Sequence, residues 1–194
     1  ININENTIMI KNQNHLGGIC MILSVLFFSL MDVLIKITHE YDVGQVMFSR
    51  ALFGLIPIFF LIPRERLKNF YKTKHAGLHF YRSFVGAIAM YAIFVGLRNL
   101  ELAEVTSMAF SGPIWVVIFS ILFLGEKIRM KRWIAVGLGF IGVLIISKPG
   151  FDNLNLYYIY PVIFTLGFAG VSIFIRKLTL VGDPVYLIAF YFSL

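Results

Sequence analysis

Charge is what this sequence has least of. Only 14% of its 194 residues are Asp, Glu, Lys or Arg, against 59% hydrophobic. A soluble domain carries about 25% charged residues, and a chain this short must still cover its surface. A soluble globular protein is therefore excluded, and lipid is the natural solvent for the apolar excess. Cysteine is represented by Cys20 alone, which rules out a disulfide framework or a cysteine metal site within one chain. His15, His39, His75 and His79 fall at helix ends and in loops, and none stands at a metal-ligand spacing from a second ligand type. We find no nucleophile and base, and no metal cluster, of the kind a membrane enzyme needs. No cofactor is expected, and the chain does not read as an enzyme. The net charge of +7 does not point to nucleic acid. The basic residues gather in short segments between apolar runs, a pattern of membrane-surface contact.

What is abundant is long apolar runs. A transmembrane helix needs about 20 apolar residues. Candidate spans run from Leu16 to Thr38, Val43 to Ile62 (closed by Pro63), His79 to Leu97, Leu102 to Leu124, Trp133 to Ser147 and Leu156 to Ile175. A seventh starts near Pro184. Backbone groups in hydrocarbon must be bonded internally, so these runs are helices. The expected fold class is all-α, a polytopic transmembrane helix bundle embedded in membrane lipid. The first run is too long for a signal-peptide core and contains Asp32 and Lys36, so it reads as a permanent span. Residues 1–15 read as a cytoplasmic N-terminal segment. The sequence begins at Ile1 and ends at Leu194 inside an apolar run, from which we expect a fragment of something longer.

Loop charge sets the expected orientation. Arg64, Arg66, Lys68, Lys72 and Lys74 follow the second span, and Lys127, Arg129, Lys131 and Arg132 follow the fourth. Arg176 and Lys177 open the loop expected after the sixth. The other loops carry Arg98, Lys148, or the acidic Glu40 and Asp42. Every even-numbered span is thus followed by a basic loop, which places those loops and the N-terminus in the cytoplasm.

A short internal repeat accompanies this pattern. Lys36-Ile37-Thr38 followed by Asp42 matches Lys177-Leu178-Thr179 followed by Asp183 at an offset of 141 residues, and Phe27 matches Phe168. An odd number of spans per repeat makes the second copy cross in the opposite direction. Inverted repeats are the plan of many secondary transporters.

Ionisable residues within spans are costly, about 2.5–3.5 kcal/mol each at a helix centre. Asp32 lies roughly 9 Å below the outer end of the first span and Arg50 at a similar depth in the second. Lys36 stands one turn from Asp32 on the same face. Ser29, Asp32 and Lys36 form one polar stripe, and Glu104, Ser107 and Ser111 repeat its spacing. Two such stripes facing each other line a polar cavity. Pro113 kinks the fourth span beside Ser111 and frees the carbonyl of Ala109. Trp115 and Tyr91 offer flat surfaces to a planar or cationic solute. A static bond network accounts for the same residues, with Asp32 paired to Arg50 or Lys36, and Glu104 to Arg98. Arg82, near the cytoplasmic end of its span, is expected to reach the headgroups. Gly137-Leu138-Gly139-Phe140-Ile141-Gly142 fits a dinucleotide fingerprint in letters only. It lies inside a span, where small residues serve helix packing.

The order of features from Arg98 onward is more specific. It runs through Leu102-Ala103-Glu104-Val105-Thr106, Gly112-Pro113-Ile114-Trp115, Leu124-Gly125-Glu126-Lys127 and Trp133, and ends in Lys148-Pro149-Gly150. This closely resembles the drug/metabolite transporter superfamily, in its EamA-type branch, and the resemblance extends back through Arg82-Ser83 and Arg50 to the first span. It implies ten helices in two inverted five-helix repeats around a central cavity. Residues 16–148 are then the first repeat and 149–194 the start of the second. It also implies that Lys36, Arg50 and the region of Pro113 line the cavity, whereas Asp32 departs from the neutral residue of many members. The substrate-binding residues expected are Asp32, Lys36, Arg50, Tyr91, Glu104, Ser107, Ser111, Pro113 and Trp115. The function implied is secondary transport of a small organic metabolite in a bacterial inner membrane. The substrate resembles S-adenosylmethionine, riboflavin or an amino acid. A membrane enzyme and a non-transporting assembly subunit are the rival readings, and a homodimer is left open.

Overall fold

The computed structural model describes residues 3–38, 40–63, 71, 73–126, 129–147 and 156–193. Arg64, Arg66, Lys68, Lys72, Lys127 and the Lys148-Pro149-Gly150 turn lie outside them, as does the expected boundary between repeats. The described secondary structure is helical: α1 (Ile3–Ile37), α2 (Val43–Leu61), α3 (Ala76–Asn99), α4 (Leu102–Ala109), α5 (Gly112–Leu124), α6 (Met130–Ser147), α7 (Ile159–Leu180) and α8 (Val185–Ser193). A single 3-10 turn, Leu156–Tyr158, leads into α7. Stretches long and apolar enough to cross a membrane are Gly17–Ile37, Val43–Phe60, Ala76–Asn99, Leu102–Leu124 and Leu156–Leu180. The shorter apolar stretch Trp133–Gly142 lies in α6.

Local chemistry sets most of the boundaries. Asp42 caps α2, its Oδ1 accepting the Gly44 N–H at 2.9 Å. Ile62 leaves the helix in an extended conformation, as a residue before proline must. Glu101 and Glu104 form a capping box at the start of α4. Gly125 ends α5 with φ of 64°, a conformation that suits a residue without Cβ. Two boundaries differ from the sequence expectation. Helix α1 extends back to Ile3, well before the apolar run. Helix α7 continues to Leu180, so Arg176 and Lys177 lie in a helix and not in a loop.

The chain forms two compact units, Ile1–His39 and Glu40–Leu194. The first is α1, whose Ser24 hydroxyl donates to the Cys20 carbonyl at 2.8 Å. Within the second, α7 packs against α3, α4 and α5, and α8 packs against α2 and α3. Small residues allow the close approach. Gly96 meets Pro161, Gly112 meets Phe168, and Gly167 sits against Ala89. A Cβ built on Gly167 would stand 2.7 Å from the Ala89 Cβ. In lipid such packing replaces the hydrophobic effect as the cohesive force. Phe94, Leu97, Val105, Val117, Ala169 and Leu178 are buried in this contact region. Phe48, Phe53 and Phe60 of α2 stay exposed, a surface suited to acyl chains. Among the described residues nothing lies within 4 Å of a Cβ built on Gly137, Gly139 or Gly142.

These contacts also give helix directions. Gly96 lies by Pro161, Ala89 by Gly167, Val85 by Gly170 and His79 by Asp183, so α3 and α7 are antiparallel. Gly112 lies by Phe168 and Glu126 by Arg176, so α5 and α7 run the same way. Helix α3 therefore crosses opposite to α5 and α7. One end of the second unit gathers the start of α3, the end of α5 and the end of α7. The described basic residues Lys74, Arg176 and Lys177 belong to those segments.

Candidate functional site

The fourth apolar span is interrupted. Pro113 supplies no N–H, and the chain passes from α4 to α5 through Phe110 and Ser111. The Phe110 N–H still reaches the Thr106 carbonyl at 3.0 Å, but the Ser111 N–H turns to Met108 at 3.0 Å. Ile114 donates to Ser111 at 3.0 Å, restarting the ladder. Gly112 is buried against Phe168 of α7. Broken spans of this kind bring backbone groups to the interior of transporters, where a solute can use them.

The residues picked out in the sequence fall into separate groups. Ser107 is buried and donates to the Ala103 carbonyl. Ser111 lies in the interruption and donates to the Met108 carbonyl at 2.7 Å. Both hydroxyls thus bond backbone of their own span, which leaves their lone pairs to act as acceptors. Glu104 is held from two sides. Its Oε2 accepts the Glu101 N–H at 3.4 Å and its Oε1 accepts the Tyr158 hydroxyl at 2.7 Å. Tyr158 ties the beginning of α7 to the beginning of α4, a partner that lies 54 residues away. Trp115 is half-buried and meets Phe119 edge to face at 6.5 Å, while Pro113 is exposed. Arg50 of α2 directs Nη1 to the Met90 sulfur of α3. Tyr91, the next residue, is 49% exposed. Asp32 and Lys36 lie one turn apart on α1 at intermediate exposure, within the separate first unit.

A second constellation was not foreseen from the sequence. At the basic end of the second unit, His79 of α3 is fully buried and its Nε2 stands 3.0 Å from Asp183 Oδ2, in the turn between α7 and α8. The Thr73 hydroxyl donates to the same oxygen at 3.1 Å, and His75 Nδ1 lies 3.5 Å from it. The His79 ring stacks on Tyr191 with centroids 4.6 Å apart, and the Tyr191 hydroxyl donates to the Tyr71 carbonyl at 2.6 Å. Arg82 corrects the expectation of a headgroup anchor. It is only 7% exposed, donates to the Ile188 carbonyl at 2.9 Å and lies 4.4 Å from the Phe192 ring centroid. The neighbouring Ser83 hydroxyl donates to the Tyr191 carbonyl at 2.7 Å. Burial against α8 takes the guanidinium before it can extend toward lipid headgroups. Glu126 of the Leu-Gly-Glu segment pairs with Arg176 of α7 at the same end. Among the described residues, no group of three His, Cys, Asp or Glu could hold a metal ion. The clue in the sequence was the spacing of His75 and His79, which share one helix face. Their carboxylate partner, 104 residues from His79, carried no local signal.

Known proteins place this arrangement. The chain is 28% identical over 170 residues to an S-adenosylmethionine uptake transporter of Rickettsia felis, covering 85% of this chain and 56% of that protein. It is 27% identical over 179 residues to a pseudopaline exporter of Pseudomonas aeruginosa, covering 91% and 62%. It is 29% identical over 119 residues to a riboflavin transporter of Brucella anthropi, covering 61% and 42%. The chain spans about half the length of the curated relatives it matches. No solved structure matches. Residues 15–148 match the EamA-like transporter family, so the interrupted span on α7 and the helices around it are those of a chain that belongs to this family.

Proposed function

We propose that this chain is part of a secondary carrier that moves a small organic metabolite across a membrane by alternating access. The observation that carries the reading is the interrupted span Leu102–Leu124, packed on α7 inside a match to the EamA-like transporter family. Three relatives are named as transporters or exporters of S-adenosylmethionine, riboflavin and pseudopaline. All are polar or charged metabolites larger than an inorganic ion. We therefore assign the same broad class of solute here, with S-adenosylmethionine, riboflavin and amino-acid-like compounds first in line. The basic end of the bundle faces the cytoplasm in this reading. The α7–α8 segment then opens a second repeat inverted with respect to the first.

Arg50 and the Ser111–Pro113 interruption, both in the second unit, form the solute site in this proposal. A guanidinium in a low-dielectric span gives orientation to a solute that carries an anionic group. Met90 and Trp115 supply polarisable surface around it. Arg50→Ala should lower transport at least about tenfold, the loss expected when one charge-assisted contact of about 1.5–3 kcal/mol disappears, with membrane levels near normal. Equal loss of protein and of transport would return Arg50 to a structural role. A membrane enzyme, the rival reading, would turn over a substrate in detergent without vesicles. The functional test is counterflow in proteoliposomes holding the full-length protein, with labelled S-adenosylmethionine, riboflavin and a pool of amino acids. Exchange of one of them establishes the carrier and its substrate class. No exchange across the panel by folded protein overturns the substrate assignment.

A further inference from the structure

Helix α7 meets its neighbours along two seams of different character. The seam with α3 is buried. Ala89 lies against Gly167 and Pro161 against Gly96, and at the basic end the fully buried His79 holds Asp183 at 3.0 Å. The seam with α4 and α5 carries at each end a polar tie that water reaches. At one end the Tyr158 hydroxyl donates to Glu104 Oε1 at 2.7 Å, both residues standing at intermediate exposure. At the other end Glu126, 28% exposed on its side chain, pairs with Arg176, 45% exposed. Between the two ties the span is broken at residues 110–113, where Gly112 lies beside Phe168 of α7.

We propose that the Tyr158 tie to Glu104 and the Glu126 pair with Arg176 are the two gates of the carrier, which open one at a time about a hinge at residues 110–113. The inference rests on the carrier reading above. Spacing supports it. At about 1.5 Å per residue, Glu104 and Glu126 lie roughly 33 Å apart along their span, and Tyr158 and Arg176 roughly 27 Å apart along α7. A hydrocarbon core is about 30 Å thick. The two ties thus stand at opposite membrane surfaces, with the break in the span between them.

Each tie has the chemistry of a contact that can be made and broken in every cycle. An ion pair open to water contributes little to stability, so Glu126 and Arg176 separate readily and are solvated when apart. Glu104 keeps the Glu101 N–H when Tyr158 leaves, and its carboxylate is not stranded. The tie of His79 to Asp183 lacks that freedom. His79 is fully buried, and loss of its partner would leave a polar group dry. Helices α3 and α7 therefore move as one body, and α4 and α5 swing against them. The break lets the two halves swing separately. Pro113 has no N–H to donate, and the Ser111 N–H turns back to Met108. Release of one tie tilts one half and opens the backbone of the break to one side of the membrane. Both ties are closed in this structure, the occluded member of such a cycle.

Accessibility of the break in the full-length protein tests this without any solute. Cys20 and every other native cysteine are replaced by serine, and Ser111→Cys reports from the break. A membrane-impermeant maleimide is applied to each face of sealed vesicles in turn, and the labelling rates are compared. Tyr158→Phe should raise labelling from the face that bears Glu104 by about threefold and lower it from the basic face. Arg176→Gln should do the reverse. Removal of a tie favours the state open at its end, by the modest factor that an exposed pair supports. Glu126→Gln should repeat the effect of Arg176→Gln and serves in its place where that variant does not fold. The charge exchange Glu126→Arg with Arg176→Glu should return the native ratio. Labelling that is unchanged in all these variants, or that rises equally from both faces, makes the ties static and overturns the proposal. A Ser111→Cys reporter that reacts from neither face in any variant overturns it as well. Absence of counterflow in the native protein counts against the carrier reading, and the labelling ratio then judges the gates by itself.

Discussion

Asp42 and Asp183 close two similar segments, one after Lys36-Ile37-Thr38 and the other after Lys177-Leu178-Thr179. The local backbone chemistry is the same in both. The Thr38 hydroxyl donates to the Leu34 carbonyl at 2.8 Å, and the Thr179 hydroxyl to the Ile175 carbonyl at 2.9 Å. The two aspartates then part. Asp42 accepts the Gly44 N–H and caps its own helix, α2. Asp183 receives Thr73 and His79 from the beginning of α3. A repeated motif thus preserves what neighbours in sequence can determine, while the tertiary partner decides whether its acid is a cap or a tie between helices.

The largest expected effect separates the two aspartates. Asp183→Ala leaves the buried His79 without its carboxylate and should destabilise the protein by about 3 kcal/mol, the cost of breaking a buried polar pair. Thermal unfolding in detergent micelles reads it, and a loss no larger than that of Asp42→Ala would erase the distinction. Gly167→Ala comes next. Its Cβ would press on Ala89, where α3 and α7 touch, at about 2 kcal/mol for overpacking. A neutral result would mean that the two helices separate easily. Asp42→Ala should cost about 1 kcal/mol, the worth of an N-cap. Thr38→Ala and Thr179→Ala, alike in geometry, should each stay within about 0.5 kcal/mol in the same unfolding assay. A clear difference between the threonines would show that the segments diverge before their aspartates do.

Much of this fold was legible because its determinants are local. Apolar runs marked the spans, Pro63 closed the second of them, and Pro113 interrupted the fourth. Alternation of basic segments foretold that the start of α3 and the ends of α5 and α7 share one end. The pairings across the bundle were less legible. Tyr158 on Glu104 and His79 on Asp183 join residues 54 and 104 positions apart, and each partner alone looks like an ordinary surface residue. Arg82 was read as a headgroup anchor from its position near a helix end, and it is buried because α8 lies over it. Arg176 was read as a loop residue because its charge breaks the apolar run, yet Glu126 neutralises it and the helix continues. Among the described residues the close glycine contacts are at Gly96, Gly112 and Gly167, where the sequence carried no stripe of glycines.

The central claim is that this member of the EamA-like transporter family works as a carrier with alternately exposed sites. Trans-acceleration tests it most directly. Proteoliposomes holding the full-length protein are loaded with the labelled solute that exchanges, and efflux is timed with and without unlabelled solute outside. A carrier must return its site across the membrane, so efflux should speed up several-fold when the outer site is filled. Equal rates in the two conditions, with transport present, would contradict alternating access and identify an open pathway.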